Sequence, residues 1–352
     1  MPVEGRCTTW AQPGHNLGET AGELVGDVLP RVRYGARVTF DYLFGGLSIG
    51  SSLPFDGLRK GRPVGDARPD IMVTSGIGAA PEPDREHFAW PGRYGLTLGE
   101  YRGQWLMRSA FDGSFLIARD GTSIQVFCDH LPPGQALTDV LVRRILPRVT
   151  ILFGANAIHS AALAGQDGGQ GGGLMLLGRS GAGKSTLTAA LAHFLGWEIL
   201  SDDISILRGD SLPMLAPAAT GVCLWPPSRD GLGLAPEHCA EMPGYDGKLR
   251  YDPYRGDSHP TPLRAFVFLD RAADCTSPRL EQLSLAQGVA EIVPQIIRFN
   301  PHGSSATERV TALETLVPIM RSTPVWRLTY PASYAALSTV SEVISGLIAP
   351  PH

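Results

Sequence analysis

The hydrophobic positions of the chain change period at about residue 130. Before it they alternate. Residues 37–44, 47–53, 70–74, 104–111, 114–118 and 123–127 set apolar side chains near every second position, as half-buried strands do. Gly45-Gly46 and Asp112-Gly113 fall between neighbouring runs and predict tight turns. Loops rich in Pro and Gly, 54–69 and 76–91, separate the others. Residues 1–30 carry few signals beyond a short helical stretch at 19–28. The pattern therefore predicts an N-terminal arm over 1–30 and a β-rich domain over 31–135.

Beyond residue 135 the period becomes helical. Leu137, Leu141, Ile145, Val149 and Leu152 predict a helix over 136–153. Residues 156–164 read as one strand, 165–173 as a glycine turn and 174–177 as a short buried strand, which together form a hairpin. A helix follows, with Leu187, Ala190, Leu191 and Phe194 on one face and Gly196 at its end. Strands are expected at 197–200 and 204–207. Residues 212–262 show little periodicity and read as a long irregular, Pro-rich stretch; Trp225 within it reads as a core aromatic, with a substrate wall as the alternative. Strands at 263–269, 279–283 and 325–328 and helices at 285–299, 305–320 and 334–348 complete the chain. The order makes residues 136–352 an α/β domain.

The chemistry gathers between 156 and 207. Gly178-Arg179-Ser180-Gly181-Ala182-Gly183-Lys184-Ser185 fits G-x-x-x-x-G-K-[ST] without departure. The alternative is a glycine-rich turn holding a chance lysine, but the motif has the strand before it and the helix after it that a phosphate loop demands. In such a loop glycines let backbone N–H groups turn onto phosphates, and the opening helix adds its positive end. Gly178, Ser180, Gly181, Ala182, Gly183, Lys184, Ser185 and Thr186 are the expected nucleotide contacts. Lys184 would reach the β- and γ-phosphates, and the Ser185 hydroxyl would coordinate Mg²⁺.

Asp202 and Asp203 follow a strand, at the end where open α/β sheets place ligands. Adjacent residues there point to opposite sides, which suits two roles. Lys248 and Arg250 read as a flexible basic loop, either solvated charges or a clamp on phosphate or acceptor.

Composition narrows the classes. With 352 residues, 43% hydrophobic and 18% charged, the chain can bury two cores. Its net charge is −4 and it has no basic block, which argues against nucleic acid and anionic membranes as partners. The five cysteines, Cys7, Cys128, Cys223, Cys239 and Cys275, are scattered without a C-x-x-C, as in a reducing compartment. No apolar run approaches the roughly 18 residues of a membrane span, and the first residues lack signal-peptide order. A cytoplasmic protein is expected.

Three blocks in one order, Ile158-His159, residues 178–186 and Ser201-Asp202-Asp203, resemble the HPr kinase/phosphorylase-like P-loop kinases. Phe44-Gly45-Gly46-Leu47-Ser48-Ile49, Leu224-Trp225-Pro226 and Pro262-Leu263-Arg264-Ala265-Phe266 are similar to the HPr kinase-related proteins of peptide natural-product pathways of the lasso-peptide type. The resemblance implies an N-terminal β-rich domain and a P-loop kinase domain of HPr kinase-like type. It implies ATP and Mg²⁺ as cofactors, with Asp203 as the carboxylate that takes the acceptor proton. Asp202 would assist the metal, and His159 would orient Asp203 or the γ-phosphate. The glutamate- and arginine-containing signature of the bifunctional members is absent from 212–233, so the likeness does not extend to phosphorolysis. Relatives in the wider family assemble, which makes a homo-oligomer a candidate.

The expected function is ATP-dependent transfer of the γ-phosphoryl group to a hydroxyl of a peptide, serine-type, or of a small molecule. The alternative is a nucleotide-binding regulator or slow ATPase of a biosynthetic pathway. The acidic pair and His159 favour the kinase.

Overall fold

A computed structural model describes residues 40–348, except 62–66, 77, 93–94, 112, 166–170, 210–211, 254–257 and 302–305. The expected arm and its short helix lie outside the described residues. All described residues belong to one compact unit, Arg37–His352.

Two large sheets organise this unit. The first is built entirely from residues 40–128. Its nine strands run in the order Arg59–Lys60, Phe40–Phe44, Leu47–Ser51, Ile71–Ser75, Ser123–Cys128, Gly113–Ile117, Gln104–Ser109, Leu96–Tyr101 and Arg85–Trp90. Arg59–Lys60, Leu96–Tyr101 and Arg85–Trp90 arise where no strand was expected. Arg85–Trp90 has no buried residue, so its sequence lacks an apolar face to read.

In the second sheet Gly173–Leu177 lies between Ala161–Ala164 and the long strand Thr261–Ala272. Thr261–Ala272 pairs in parallel with Val325–Pro331, and Ala161–Ala164 pairs antiparallel with Glu198–Ser201. Asn156–Ile158, Ser205–Arg208 and Met214–Ala216 extend the other flank. Every residue of Gly173–Leu177 is buried, the continuous apolar run of a strand covered on both faces.

The helix over Gln135–Leu152 forms as expected, with a π-helical turn at Leu141–Ile145. Lys184–Leu195 is the helix after the glycine loop, and Gly196 ends it at φ +67°. Phe194 is exposed rather than on the buried face; Ala189 and Ala192 are buried instead, because small residues let the helix lie close to its neighbours.

Three further expectations are corrected. Residues 156–164 are two strands, not one. Asn156–Ile158 pairs with Ser205–Arg208, while Ala161–Ala164 pairs with Gly173–Leu177, so the chain changes partner at His159-Ser160. The stretch 212–262 is not irregular throughout. It contains the helix Pro226–Leu232 and a three-stranded sheet ordered Val222–Leu224, Leu249–Tyr251, Cys239–Glu241. The helix expected over 285–299 stops at Ile292, where Pro294 removes an N–H from the next turn.

Candidate active site

Strand direction brings the site together. Gly173–Leu177 and Glu198–Ser201 each run antiparallel to Ala161–Ala164, so both end at the edge where that strand begins. The glycine loop, the Asp202-Asp203 pair and His159 therefore meet at one edge of the sheet.

The loop turns at Gly183, whose φ is +94°, and delivers Lys184 as the first residue of the helix. No side chain caps this helix, so its leading N–H groups remain for an anion. Tyr330, at the end of a parallel strand, donates its hydroxyl to the Ala182 carbonyl at 2.7 Å and props the loop from below. Burial pushes the Tyr330 phenol up to about 12, so it stays a donor across the physiological range. Beside it opens a small cleft of about 90 Å³ lined by Gly183, Thr186, Arg271, Tyr330 and Tyr334.

Lys184 is buried and folds back onto the loop. Its Nζ donates to the Gly178 carbonyl at 2.7 Å and contacts His159 Nε2 at 3.2 Å. An ammonium can only donate, so Nε2 accepts and the imidazole proton sits on Nδ1. Nδ1 lies 2.8 Å from the Asp203 carbonyl oxygen and 3.3 Å from its Oδ1. Lys184, His159 and Asp203 thus form a continuous chain. Burial lowers the Lys184 pKa, against the opposing pull of Asp203 and Asp202.

The two aspartates diverge. Asp203 has φ +69°, and Ile204 N–H bonds back to the Asp202 carbonyl at 2.8 Å, closing a three-residue turn around it. Asp202 points inward. Its Oδ2 accepts from Cys223 N–H at 2.8 Å and its Oδ1 from the Ser185 hydroxyl at 3.2 Å. Asp203 points outward, with 55% of its side chain exposed. Burial raises the Asp202 carboxyl above the usual range despite the Cys223 bond. The surrounding protein pushes Asp203 up too, but the His159 contact and the charges of Arg143 and Lys184 outweigh it and hold Asp203 below that range.

The remaining expectations separate. Lys248 and Arg250 do not share a loop: Lys248 stands just before the strand Leu249–Tyr251 that carries Arg250. Arg250 lies on Leu249–Tyr251 with a buried Nη1 that has no hydrogen-bond partner. Lys248 Nζ sits 5.1 Å over the Trp225 ring, and Trp225 is 50% exposed, so it is a surface aromatic and not a core one. Helix Pro226–Leu232 begins directly after it and buries Leu232 in its place. Tyr330 and the Cys223 N–H went unnoticed in the sequence. Only the position of Tyr330 at the end of a parallel strand could have signalled it, and the expected strand stopped at 328.

Comparison with known proteins adds little weight. No family model matches the chain, and no curated protein does. Among solved structures, the HPr(Ser) kinase/phosphatase from Coxiella burnetii aligns over 54% of this chain and 94% of its own, at 14% identity and a TM-score of 0.28. So shallow an overlap decides neither fold nor activity here. No helix among the described residues is long and apolar enough to cross a membrane.

Proposed function

We propose that this chain is an ATP-dependent kinase of the HPr kinase-like P-loop type, acting on a hydroxyl of a peptide or small-molecule acceptor. The observation that carries the reading is the chain of contacts from Lys184 through His159 to Asp203, a phosphate-binding cation wired to a half-exposed carboxylate.

The residues fit Mg²⁺ and ATP. Among the described residues no three His, Cys, Asp or Glu side chains cluster as an all-protein metal cage. A magnesium ion of this class needs only one hydroxyl and one or two carboxylates, with phosphate oxygens and water filling the rest. Ser185 and Asp202 already share a hydrogen bond and would hold it. When bound, the metal would supply charge neutralisation to the phosphates. The uncapped helix and the loop N–H groups would cradle the phosphates, and the cleft beside Thr186 would take the nucleoside end.

Lys184 would leave the Gly178 carbonyl for the phosphates. Asp203 then loses part of the charge that holds its carboxyl down, and becomes a better acceptor for the hydroxyl proton as the site fills. His159 Nδ1–H fixes the Asp203 turn throughout. Asp203 would both orient the hydroxyl in line and take its proton as the loose transfer proceeds.

The test is mass spectrometry for a gain of one phosphate on the products encoded beside this gene, and on free serine, with wild type and Lys184→Ala. Transfer by wild type and none by Lys184→Ala supports the kinase. ATP hydrolysis without transfer to any acceptor favours the slow ATPase or regulator. Full turnover by Lys184→Ala removes the loop assignment.

A further inference from the structure

The kinase reading gives the cleft beside Thr186 to the nucleoside end of the donor but names no side chain that holds it. Two are available, Arg271 and Tyr334. Arg271 lies on the long strand Thr261–Ala272, where it is the direct partner of Tyr330 across the parallel ladder. Ladder partners share a face of the sheet, so Arg271 rises on the side from which Tyr330 props Ala182. Its charge acts on the Tyr330 phenol. The side chain is exposed, and among the described residues its guanidinium has no hydrogen bond or ion pair. The neighbouring Asp270 faces Thr329 Oγ1 at 3.5 Å instead.

Tyr334 follows three residues after the strand Val325–Pro331 ends. Gly231 of helix Pro226–Leu232 lies so close to its ring that a Cβ there would land on the ring. Ser228 of the same helix stands 3.4 Å from the Tyr334 hydroxyl and 3.0 Å from Thr186 Oγ1. The ring is thereby tied to the helix that carries the phosphate loop, yet 40% of the residue stays exposed. An aromatic ring and a guanidinium are the two side-chain types that stack on a nucleobase. Size points the same way. The cleft, about 90 Å³, is well below the roughly 300–1,000 Å³ that buries a whole ligand. It suits one end of a molecule anchored elsewhere, and its own rim at Gly183 and Thr186 is the phosphate loop. It also opens past the ends of two parallel strands, where open α/β sheets take their ligands.

We propose that Tyr334 and Arg271 grip the nucleobase of the phosphoryl donor, so that the site takes a nucleoside triphosphate in preference to a bare polyphosphate. The inference rests on the phosphate-loop reading of Lys184 and Ser185 and adds to it the residues that recognise the rest of the donor.

The experiment is calorimetric titration of the full chain in Mg²⁺, with a non-hydrolysable ATP analogue in one arm and inorganic triphosphate in the other. The loop contacts both ligands, and the nucleobase contacts only one. Wild type should bind the ATP analogue at least about tenfold more tightly. Tyr334→Leu, which keeps bulk and loses the ring, should lose most of that preference, and Tyr334→Phe should keep it. Arg271→Ala should lose about fivefold for the ATP analogue. Tyr334→Leu and Arg271→Ala should hold triphosphate within twofold of wild type, which also shows that they fold. Equal affinity of wild type for the two ligands overturns the proposal and leaves the phosphate loop standing. So does a full preference in Tyr334→Leu, a lost one in Tyr334→Phe, or a parallel fall for both ligands in Arg271→Ala, which would move that guanidinium onto the phosphates. Binding of neither ligand by wild type removes the phosphate loop and the base site together.

Discussion

Asp203 occupies a backbone conformation that non-glycine residues seldom adopt, φ +69° within a three-residue turn. Such strain costs of order 1–3 kcal/mol. What it achieves is divergence: Asp202 inward on Cys223 N–H and Ser185, Asp203 outward beside His159. The two carboxyls then have opposite pH signatures. Asp203 is depressed, so its contribution to stability is present above the unfolded carboxylate pKa and is lost as pH falls through the folded one. Asp202 is raised, so its ionisation opposes folding at neutral pH, and the cost fades as pH falls from its raised pKa toward the ordinary value of about 4. Asp202→Asn should therefore unfold at a higher temperature than wild type at pH 7, by about 2 °C per kcal/mol relieved, with the gap closing in acid. It should also need more Mg²⁺ for transfer. Asp203→Asn should keep nucleotide affinity by calorimetry and lose roughly 10²–10⁴-fold in transfer, because an amide cannot take the proton. Transfer at the wild-type rate would make Asp203 a turn residue only.

At the scale of elements, the loop and the strand that props it act as one part. A Cβ on Gly183 would meet the Tyr330 hydroxyl, on top of the strain of φ +94°. Gly183→Ala should abolish measurable nucleotide binding. Tyr330→Phe alone removes one hydrogen bond to the loop, worth about 1 kcal/mol, and should weaken binding about fivefold. The double variant should bind better than Gly183→Ala, since the hydroxyl is gone while the strain stays. Equal loss in the single and the double variant would show that the backbone alone matters. The parts legible in the sequence are those fixed locally. They are the glycine loop, the helix from Lys184, its stop at Gly196 and the position of the acidic pair after a short strand. What escaped depends on distant partners. Residues 156–164 are apolar or small almost throughout, so nothing local announces the change of partner at His159-Ser160. The strands at Val222–Leu224, Cys239–Glu241 and Leu249–Tyr251 have three residues each, too few for a period to show. Trp225 carried the composition of a core residue but precedes a helix that turns it out to Lys248.

At the scale of the whole molecule, the boundary expected at 135/136 crosses a single hydrophobic cluster. Tyr42, Phe44, Ile49 and Phe115 from the first sheet pack with Val142, Ile145 and Val149 of the helix, with Ala157 and Ile206 of the second sheet, and with Ile204 of the aspartate turn. Hydrogen bonds cross the same seam. Gly45 N–H bonds to the Pro217 carbonyl at 2.7 Å, Thr220 N–H to the Gly57 carbonyl at 3.0 Å, and Arg59 Nη2 to the Ile199 carbonyl at 2.7 Å. Cutting there would expose Ile204 and Ile206, each worth about 1.5–3 kcal/mol on burial, beside several alanines and the whole inner face of the helix. Domains are stable by only about 5–15 kcal/mol, so a loss on this scale consumes most of the margin. The strain at Asp203 makes matters worse, because Ile204 is the residue that anchors its turn in the cluster. The full chain should therefore unfold in one calorimetric transition through this core. A fragment of residues 136–352 should bind nucleotide weakly or aggregate, and co-expression with residues 1–135 should restore binding. Two well-separated transitions would refute this, as would a 136–352 fragment with wild-type nucleotide affinity. The first sheet would then be an appended module rather than the support on which the aspartate turn rests.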